Sequence, residues 1–258
     1  MKKFAGRANI AAVTQVLHNI LDFCYPGSCA ACGEPCPGKE PFCTACAGEL
    51  AQAQERPACA RCGAPSALPG GPCPHCRGRG LPPLRGVVRL AAFADPLKGA
   101  IHNMKYRRNW PLAEQLADRL WASAAVRQLL DGADVLVPVP LHRRRQIARG
   151  YNQAEVLARR LARLSGVKVA RALLRVRATA SQTNMPSRAR REKNLRGAFA
   201  LRSERAVASK RIVLVDDVMT SGATLRAAAR ALMTAKPRTI HALVLAAADP
   251  KGSDFQAV

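Results

Sequence analysis

Eight cysteines fall into four Cys-x-x-Cys pairs, Cys29/Cys32, Cys43/Cys46, Cys59/Cys62 and Cys73/Cys76, and the pairs repeat. The run Cys29-Ala-Ala-Cys32-Gly33-Glu34-Pro35 returns as Cys59-Ala-Arg-Cys62-Gly63-Ala64-Pro65, and all four cysteines of the first module map onto the second by a shift of 30 residues. The pattern C-x2-C-x10-C-x2-C therefore occurs twice. A tight turn carrying two cysteines presents both sulfurs to one ion, and a second such turn completes a tetrahedron. Gly33 and Gly63 follow their pairs directly, where a residue tolerant of positive φ is useful. Four thiolates favour Zn²⁺, with an iron–sulfur cluster as second choice. Consecutive pairing predicts two zinc ribbons and alternate pairing a cross-braced site; repetition of a whole module favours the former. Modules this small bury too little surface to fold unaided, so the two Zn²⁺ are expected to be structural. Cys24, Cys36 and His75 remain spare, Cys24 as a core residue at a helix end and His75 as a surface bystander.

The cysteines also bear on compartment. All ten lie between Cys24 and Cys76, and regular pairs of this kind read as metal ligands in a reducing environment, not as a disulfide framework. Residues 8–23 have helical apolar spacing at Ile10, Val13, Val16, Leu17, Ile20 and Leu21. Thr14, Gln15, His18, Asn19 and Asp22 interrupt that stretch, so it predicts an amphipathic helix and not a signal peptide. No run approaches a membrane span. The expectation is a cytoplasmic protein with an amphipathic helix over 1–23, a double zinc ribbon over 24–80 and a further domain over 81–258.

Beyond a linker at Gly78, Gly80, Pro82 and Pro83, strands and helices alternate. Strands are predicted at Val87–Phe93, from Val135 to Pro140, near Val167 and Leu173, at Ile212–Val215 and at Ile240–Ala246. Helices are predicted at Leu97–Lys105, Leu112–Leu130, Gln153–Ser165 and Ala223–Ala235. Such alternation predicts an α/β domain with a largely parallel sheet.

The most informative segment runs from Arg211 to Leu225. An apolar strand ends in Asp216 and Asp217, then turns through Thr220, Ser221, Gly222, Ala223 and Thr224 into a helix. Ligands of open α/β sheets bind beyond the carboxyl ends of strands. A turn rich in hydroxyls and backbone N–H groups at a helix N-terminus suits phosphate. The absence of GxxxxGK[ST] argues against a P-loop NTPase. Carboxylates repel phosphate but accept hydrogen bonds from sugar hydroxyls, so the segment describes a site for a ribose 5-phosphate.

This segment resembles the phosphoribosyl pyrophosphate (PRPP) motif of type I phosphoribosyltransferases, and the chain after Cys24 resembles the ComF family of competence proteins. The likeness rests on the double zinc ribbon, Met104-Lys105-Tyr106, Val137-Pro138-Val139-Pro140-Leu141-His142, Arg149-Gly150-Tyr151-Asn152-Gln153-Ala154-Glu155, Gln182, and Arg191 through Phe199. It implies a type I phosphoribosyltransferase-like parallel sheet joined to the zinc module. Asp216 and Asp217 would hold the ribose hydroxyls, and Thr220, Ser221, Gly222, Ala223 and Thr224 the 5-phosphate. Leu141, His142 and Arg143 would neighbour the pyrophosphate, Mg²⁺ would accompany PRPP, and residues 179–190 would close over the site. Ala223 stands where many of these transferases have a hydroxyl residue. Lys105 is expected either to reach a phosphate or to end a helix in solvent, and His102 and His142 do not suggest a general base.

Lysine and arginine total 41 against 17 acidic residues, a net charge of +24 that points to polyanions. Residues 141–211 alone carry 20 basic and 3 acidic residues, more than PRPP requires. A DNA backbone would use the surplus, and a solubilising basic face is the alternative explanation of it. Tyr106, Trp110, Tyr151 and Phe199 are the nearby stacking candidates. The first reading, implied by the resemblance, is a PRPP-binding protein that handles single-stranded DNA during uptake, with competence or DNA-processing partners. The second is an active phosphoribosyltransferase with an unidentified acceptor; a weaker third is a zinc-ribbon transcription factor with a ligand-sensing domain.

Overall fold

A computed structural model of the chain describes residues 27–36, 40–65, 73–177 and 194–248. The helix expected over 8–23, Cys24, Gln182 and the closing segment 179–190 lie outside the described residues. In chain order the elements are α1 (Thr44–Glu55), β1 (Gly86–Ala92), α2 (Leu97–Tyr106), α3 (Trp110–Ala122), α4 (Ala124–Asp131), β2 (Val135–Pro138), α5 (Arg143–Arg149), α6 (Gln153–Ser165), β3 (Lys168–Val169), β4 (Leu173–Arg175), β5 (Phe199–Leu201), β6 (Arg211–Met219), α7 (Ala223–Met233) and β7 (Thr239–Ala247). The main sheet has five parallel strands in the order β1-β7-β6-β2-β3, and β4 and β5 form a separate antiparallel pair.

Parallel strands covered on both faces read as continuous apolar runs, and the central strands do so. Val213 and Val215 of β6 and Leu243 and Leu245 of β7 face the layer formed by α2, α3, α4 and α6. Ile212, Leu214, Ala242 and Val244 face α7 and the β4–β5 pair. Helix α6 keeps the bounds expected for it, because Asn152 caps its start, accepting the Ala154 N–H at 3.2 Å, and Gly166 ends it at φ 76°.

The chain leaves β2 for β3 on one side and leaves β6 for β7 on the other. These connections diverge at the β2/β6 boundary, the switch point at which open sheets form a ligand crevice. Strand β2 stops at Pro138, paired with Val215, while β6 continues beside β7 until Met219 meets Ala247. The expected strand end at Val215 is thus extended: Asp216 and Asp217 lie within β6, with β7 on one flank and no further β2 residue on the other.

The two cysteine modules pack on opposite faces of the sheet. Cys29, Cys36 and Cys46 join the α2–α3–α6 layer, whereas Cys62 and Cys73 join the α7 layer. Contact is backbone to backbone: the Val87 N–H donates to the Ala60 carbonyl at 3.0 Å. A Cβ on Gly86 would lie 2.8 Å from that oxygen, and one on Gly99 would lie 2.6 Å from the Ala31 oxygen.

Two expectations are corrected. The helix expected over Leu112–Leu130 breaks at Ser123, extended at ψ 128°, and Arg127 Nη1 donates to the freed Trp121 and Ala122 carbonyls at 3.1 and 2.8 Å. The run after His142, where no helix is predicted, forms α5, which buries none of its residues.

Backbone oxygens cannot swing away from an added methyl group, so Gly86→Ala and Gly99→Ala are each expected to cost about 1–3 kcal/mol of unfolding free energy. Gly48, in α1, has open space where a methyl group would sit, with nothing within 4 Å, and Gly48→Ala should be neutral or stabilise by about 0.5–1 kcal/mol. Urea denaturation of the zinc-loaded proteins measures all three.

Candidate functional site

The repeat seen in sequence is a repeat of geometry. The Cys29 N–H donates to the Glu34 carbonyl at 2.8 Å, and Cys59 to Ala64 at 2.9 Å; Gly33 and Gly63 adopt φ 82° and 70°. The bridges Ser28–Pro35 and Ala58–Pro65 close both knuckles. The second halves diverge: Cys43 leads into α1, while Cys73 to Cys76 form a turn. Sulfurs of Cys29, Cys32, Cys43 and Cys46 converge within 4.8 Å of one another, as do those of Cys59, Cys62, Cys73 and Cys76. Pairing is therefore consecutive, and the cross-braced alternative is excluded.

Tetrahedral Zn²⁺ with Zn–S bonds of about 2.3 Å places sulfurs about 3.8 Å apart. The separations are 3.8 Å for Cys32–Cys43, 3.9 Å for Cys59–Cys76 and 3.6 Å for Cys62–Cys73, so both sites fit structural zinc. Burial, and then the neighbouring thiols, push the Cys46 and Cys62 thiols up, so a cation is needed to hold four thiolates together. Cys36 is buried outside the cluster, its thiol toward the Glu40 carbonyl at 3.7 Å.

At the sheet's carboxyl edge, the Asp217 N–H donates to Asp216 Oδ1 at 2.9 Å and the Val218 N–H to Asp217 Oδ1 at 2.6 Å. Lys105 Nζ lies 3.4 Å from Asp217 Oδ2. Lys105 is buried, so it is not a solvated helix end, and its ammonium lies against a carboxylate. Burial, then the charge of Asp217, raises Asp216 to about 7. Arg175 is near enough to act on Asp216, and its own guanidinium is lowered to about 10 by burial and then by Arg145.

The turn after β6 brings Thr220, Ser221, Gly222, Ala223 and Thr224 beside this pair. Gly222 caps α7 at φ 72°, with no side chain capping the helix. A Cβ there would meet the tip of the Leu81 side chain at 2.8 Å, which can give way, so it is the positive φ that favours glycine. The buried Ser221 Oγ has no hydrogen-bond partner among the described residues.

On the other side of the crevice, the Val139 N–H donates to the Val215 carbonyl at 2.9 Å. This starts Leu141, His142 and Arg143 next to the residue that precedes Asp216. His142 is an N-cap, its Nδ1 accepting the Arg144 N–H at 3.3 Å, which accounts for it without a proton-transfer role. Asn152 Nδ2 donates to the Val139 carbonyl at 3.1 Å, tying this loop to α6. Tyr151 OH donates to the Met104 carbonyl at 2.5 Å, and burial raises its pKa to about 12. Buried Gln153 accepts from Arg149 Nη1 at 3.3 Å. Gly150 ends α5 at φ 80°. Thus the run from Arg149 to Gln153 positions the crevice, and Tyr151 is not available for stacking. Nor is Phe199, which is buried with the Arg175 guanidinium 5.4 Å from its ring centroid. Sequence reasoning missed Arg145, Arg175 and the positioning roles of Tyr151 and Asn152.

Family models match in two places: a double zinc ribbon domain over residues 20–77 and a phosphoribosyl transferase domain over residues 111–255. The chain is 33% identical to the DNA utilization protein YhgH of Salmonella typhimurium over 84% of its own length and 95% of that protein's. It is 31% identical to competence protein F of Haemophilus influenzae, over 70% of this chain and 80% of that one. The chain belongs to the ComF family. In this ComF protein the parallel phosphoribosyltransferase-type sheet and the two four-cysteine sites occur together, as the sequence led one to expect. Similarity to competence protein ComFC of Bacillus subtilis is 28% over 58% of the chain and 59% of that protein. No helix among the described residues is long and apolar enough to cross a membrane.

Metal analysis of the purified protein should return two zinc ions per chain. Cys62→Ser should lose one and lower stability, whereas Cys36→Ser should keep both. Asp216 keeps its proton to higher pH in the folded chain than in the unfolded one. Its contribution to stability is therefore greatest on the acid side and is lost as pH rises through about 7. Urea denaturation between about pH 5.5 and 8 should show wild type losing stability relative to Asp216→Asn as pH rises.

Proposed function

We propose that this ComF protein binds PRPP at the β2/β6 crevice and acts in the handling of single-stranded DNA. The observation that supports this most directly is the pairing, across one short turn, of two carboxylates with a buried, unpartnered Ser221 hydroxyl at an uncapped helix start. Asp216 and Asp217 accept hydrogen bonds from the ribose hydroxyls. Thr220, Ser221, Gly222, Ala223 and Thr224 receive the 5-phosphate through N–H groups and hydroxyls. Leu141, His142 and Arg143 adjoin the pyrophosphate, with Arg145 and Arg175 contributing positive charge. Because Lys105 already answers Asp217, Mg²⁺ is expected to bind chiefly through the pyrophosphate oxygens and water, in keeping with its reluctance to dehydrate.

The DNA part of the reading is supported by the excess of basic residues in the chain and by the names of its relatives, a DNA utilization protein and a competence protein. Cytoplasmic location follows from the same reading, and further competence or DNA-processing proteins are its expected partners.

The cluster of Arg145, Arg175 and Lys105 favours a second reading, that the crevice also transfers the sugar. The bond from C1 to the pyrophosphate oxygen would break with the electron pair leaving on pyrophosphate, and the acceptor's lone pair would form the new bond to C1. The arginines would stabilise the leaving anion.

Calorimetry tests the site: Asp216→Ala with Asp217→Ala should abolish measurable PRPP binding while zinc content stays at two, and unchanged affinity refutes the assignment. Pyrophosphate release from PRPP in the presence of nucleobases, amines or DNA separates transfer from binding alone. DNA affinity should fall linearly with salt on logarithmic axes, and a flat response rules out backbone contact.

A further inference from the structure

Two clefts open between the first ribbon and the α2–α3 connection, of about 480 and 510 Å³, and they share Ser28, Ala30, Asn103 and Arg107. Together they form one groove. Lys105, whose ammonium meets Asp217, is part of its wall, so one buried side chain links the groove to the carboxylate pair. Its chemistry has two parts. The first is aromatic: Tyr106 lines the groove and is 58% exposed, and Trp110, 55% exposed, stands between the lining residues Asn109 and Pro111, whereas Tyr151 is half-buried and Phe199 buried. Tyr106 is held in place, with the His102 ring 4.5 Å away and the Arg149 guanidinium 5.6 Å from its centroid.

The second part is charge. Lys98, Arg107 and Arg108 line the groove. Of its two acids, Glu40 is paired with Arg119 at 3.5 Å, and Asp95 accepts the Gly99 N–H at 3.1 Å. Cations for phosphates and exposed rings for base faces are the requirements of a single nucleic-acid strand. A duplex keeps its base faces stacked on one another and has no use for the rings.

We propose that this groove, walled by the first zinc ribbon, seats single-stranded DNA, with Tyr106 and Trp110 stacking on bases and Lys98, Arg107 and Arg108 meeting phosphates. The proposal rests on the DNA reading above and adds to it a location and a mode of binding. The first ribbon then has a role besides stability, as one bank of the strand's path.

Fluorescence anisotropy with a labelled oligodeoxythymidine of about 15 nucleotides tests the groove, with a hairpin duplex as comparison. Tyr106→Ala and Trp110→Ala should each weaken oligonucleotide binding about tenfold. Tyr106→Phe and Trp110→Phe should retain wild-type affinity, because the stacking face remains. Arg107→Ala should lower the salt slope by about one, while the aromatic variants leave it unchanged. Zinc content and PRPP affinity, measured on the same samples, should not move. The groove is refuted if both alanine variants bind like wild type while Arg143→Glu with Arg144→Glu, on α5, abolishes binding; the DNA reading then survives at another surface. If no variant and no wild-type sample binds DNA, the DNA reading itself fails. Equal affinity for the hairpin, or for polyglutamate, also overturns the proposal.

Discussion

Strand β6 outruns β2, and the site depends on that inequality. Up to Val215 the strand is flanked by β2 and β7; from Asp216 onward β7 alone continues. Carboxylates at matching positions between two full-length neighbours would be enclosed and costly to desolvate. Here they emerge where the connections from β2 and β6 diverge, and the space left by β2 is bounded by the loop from Val139 to Arg143. Lys105 from α2 and the charge of Arg175 offset the remaining cost. The same extension delivers the chain to the Thr220–Thr224 turn at the height of the carboxylates. A sugar and its phosphate can therefore be met by residues only a few positions apart.

The zinc modules bear on this edge from both sides. The second ribbon bonds to β1 through Ala60 and Val87, and Gly63 lies close to Val87 and Met219, the last residue of β6. Met219 directly precedes the Thr220–Thr224 turn. The first ribbon abuts α2 at Gly99, on the helix that carries Lys105 to Asp217. Loss of metal from either module would thus release contacts close to the crevice. Structural zinc in this fold is coupled to the β2/β6 crevice by packing.

The parts legible in sequence are those whose partners are near in the chain. A four-cysteine site is built from local pairs, so ligand identity can be read at once. The periodic pattern of α6, bounded by Asn152 and Gly166, marks its limits. Helix α5 escapes a sequence reading because it buries nothing and so leaves no apolar period. The break at Ser123 escapes because the apolar pattern runs through both helices, and its signal is a serine able to start the second. The burial of Lys105 is not legible in sequence because its partner, Asp217, lies far along the chain and only the fold brings them together. Asp216 reads as a strand end because β6's extra residues are paired by β7, whose length on that side cannot be inferred from β6 itself.

Charge is the feature most changed by the structure. The basic excess over 141–211 suggests a polyanion surface, yet many of its arginines answer acids within the fold. Arg160 pairs with Asp118 at 2.7 Å, Arg163 with Glu114, Arg159 and Arg171 with Glu155, and Arg211 with Asp134. The first two fasten α6 to α3, and Arg171 fastens the strand connection to α6. Exposed pairs of this kind contribute little stability each, but they remove cations from the supply that a nucleic acid would meet. Arg143 and Arg144, on α5, and Arg107 and Arg108, on the α2–α3 connection, stand exposed on short segments from opposite sides of the crevice. Gly150, at the end of α5, comes within 3.8 Å of the Arg108 side chain, measured from where a Cβ would sit, so the two segments meet. The exposed cations of α5 and of the α2–α3 connection thus lie together although they are distant in sequence, and only the first pair belongs to the basic stretch 141–211.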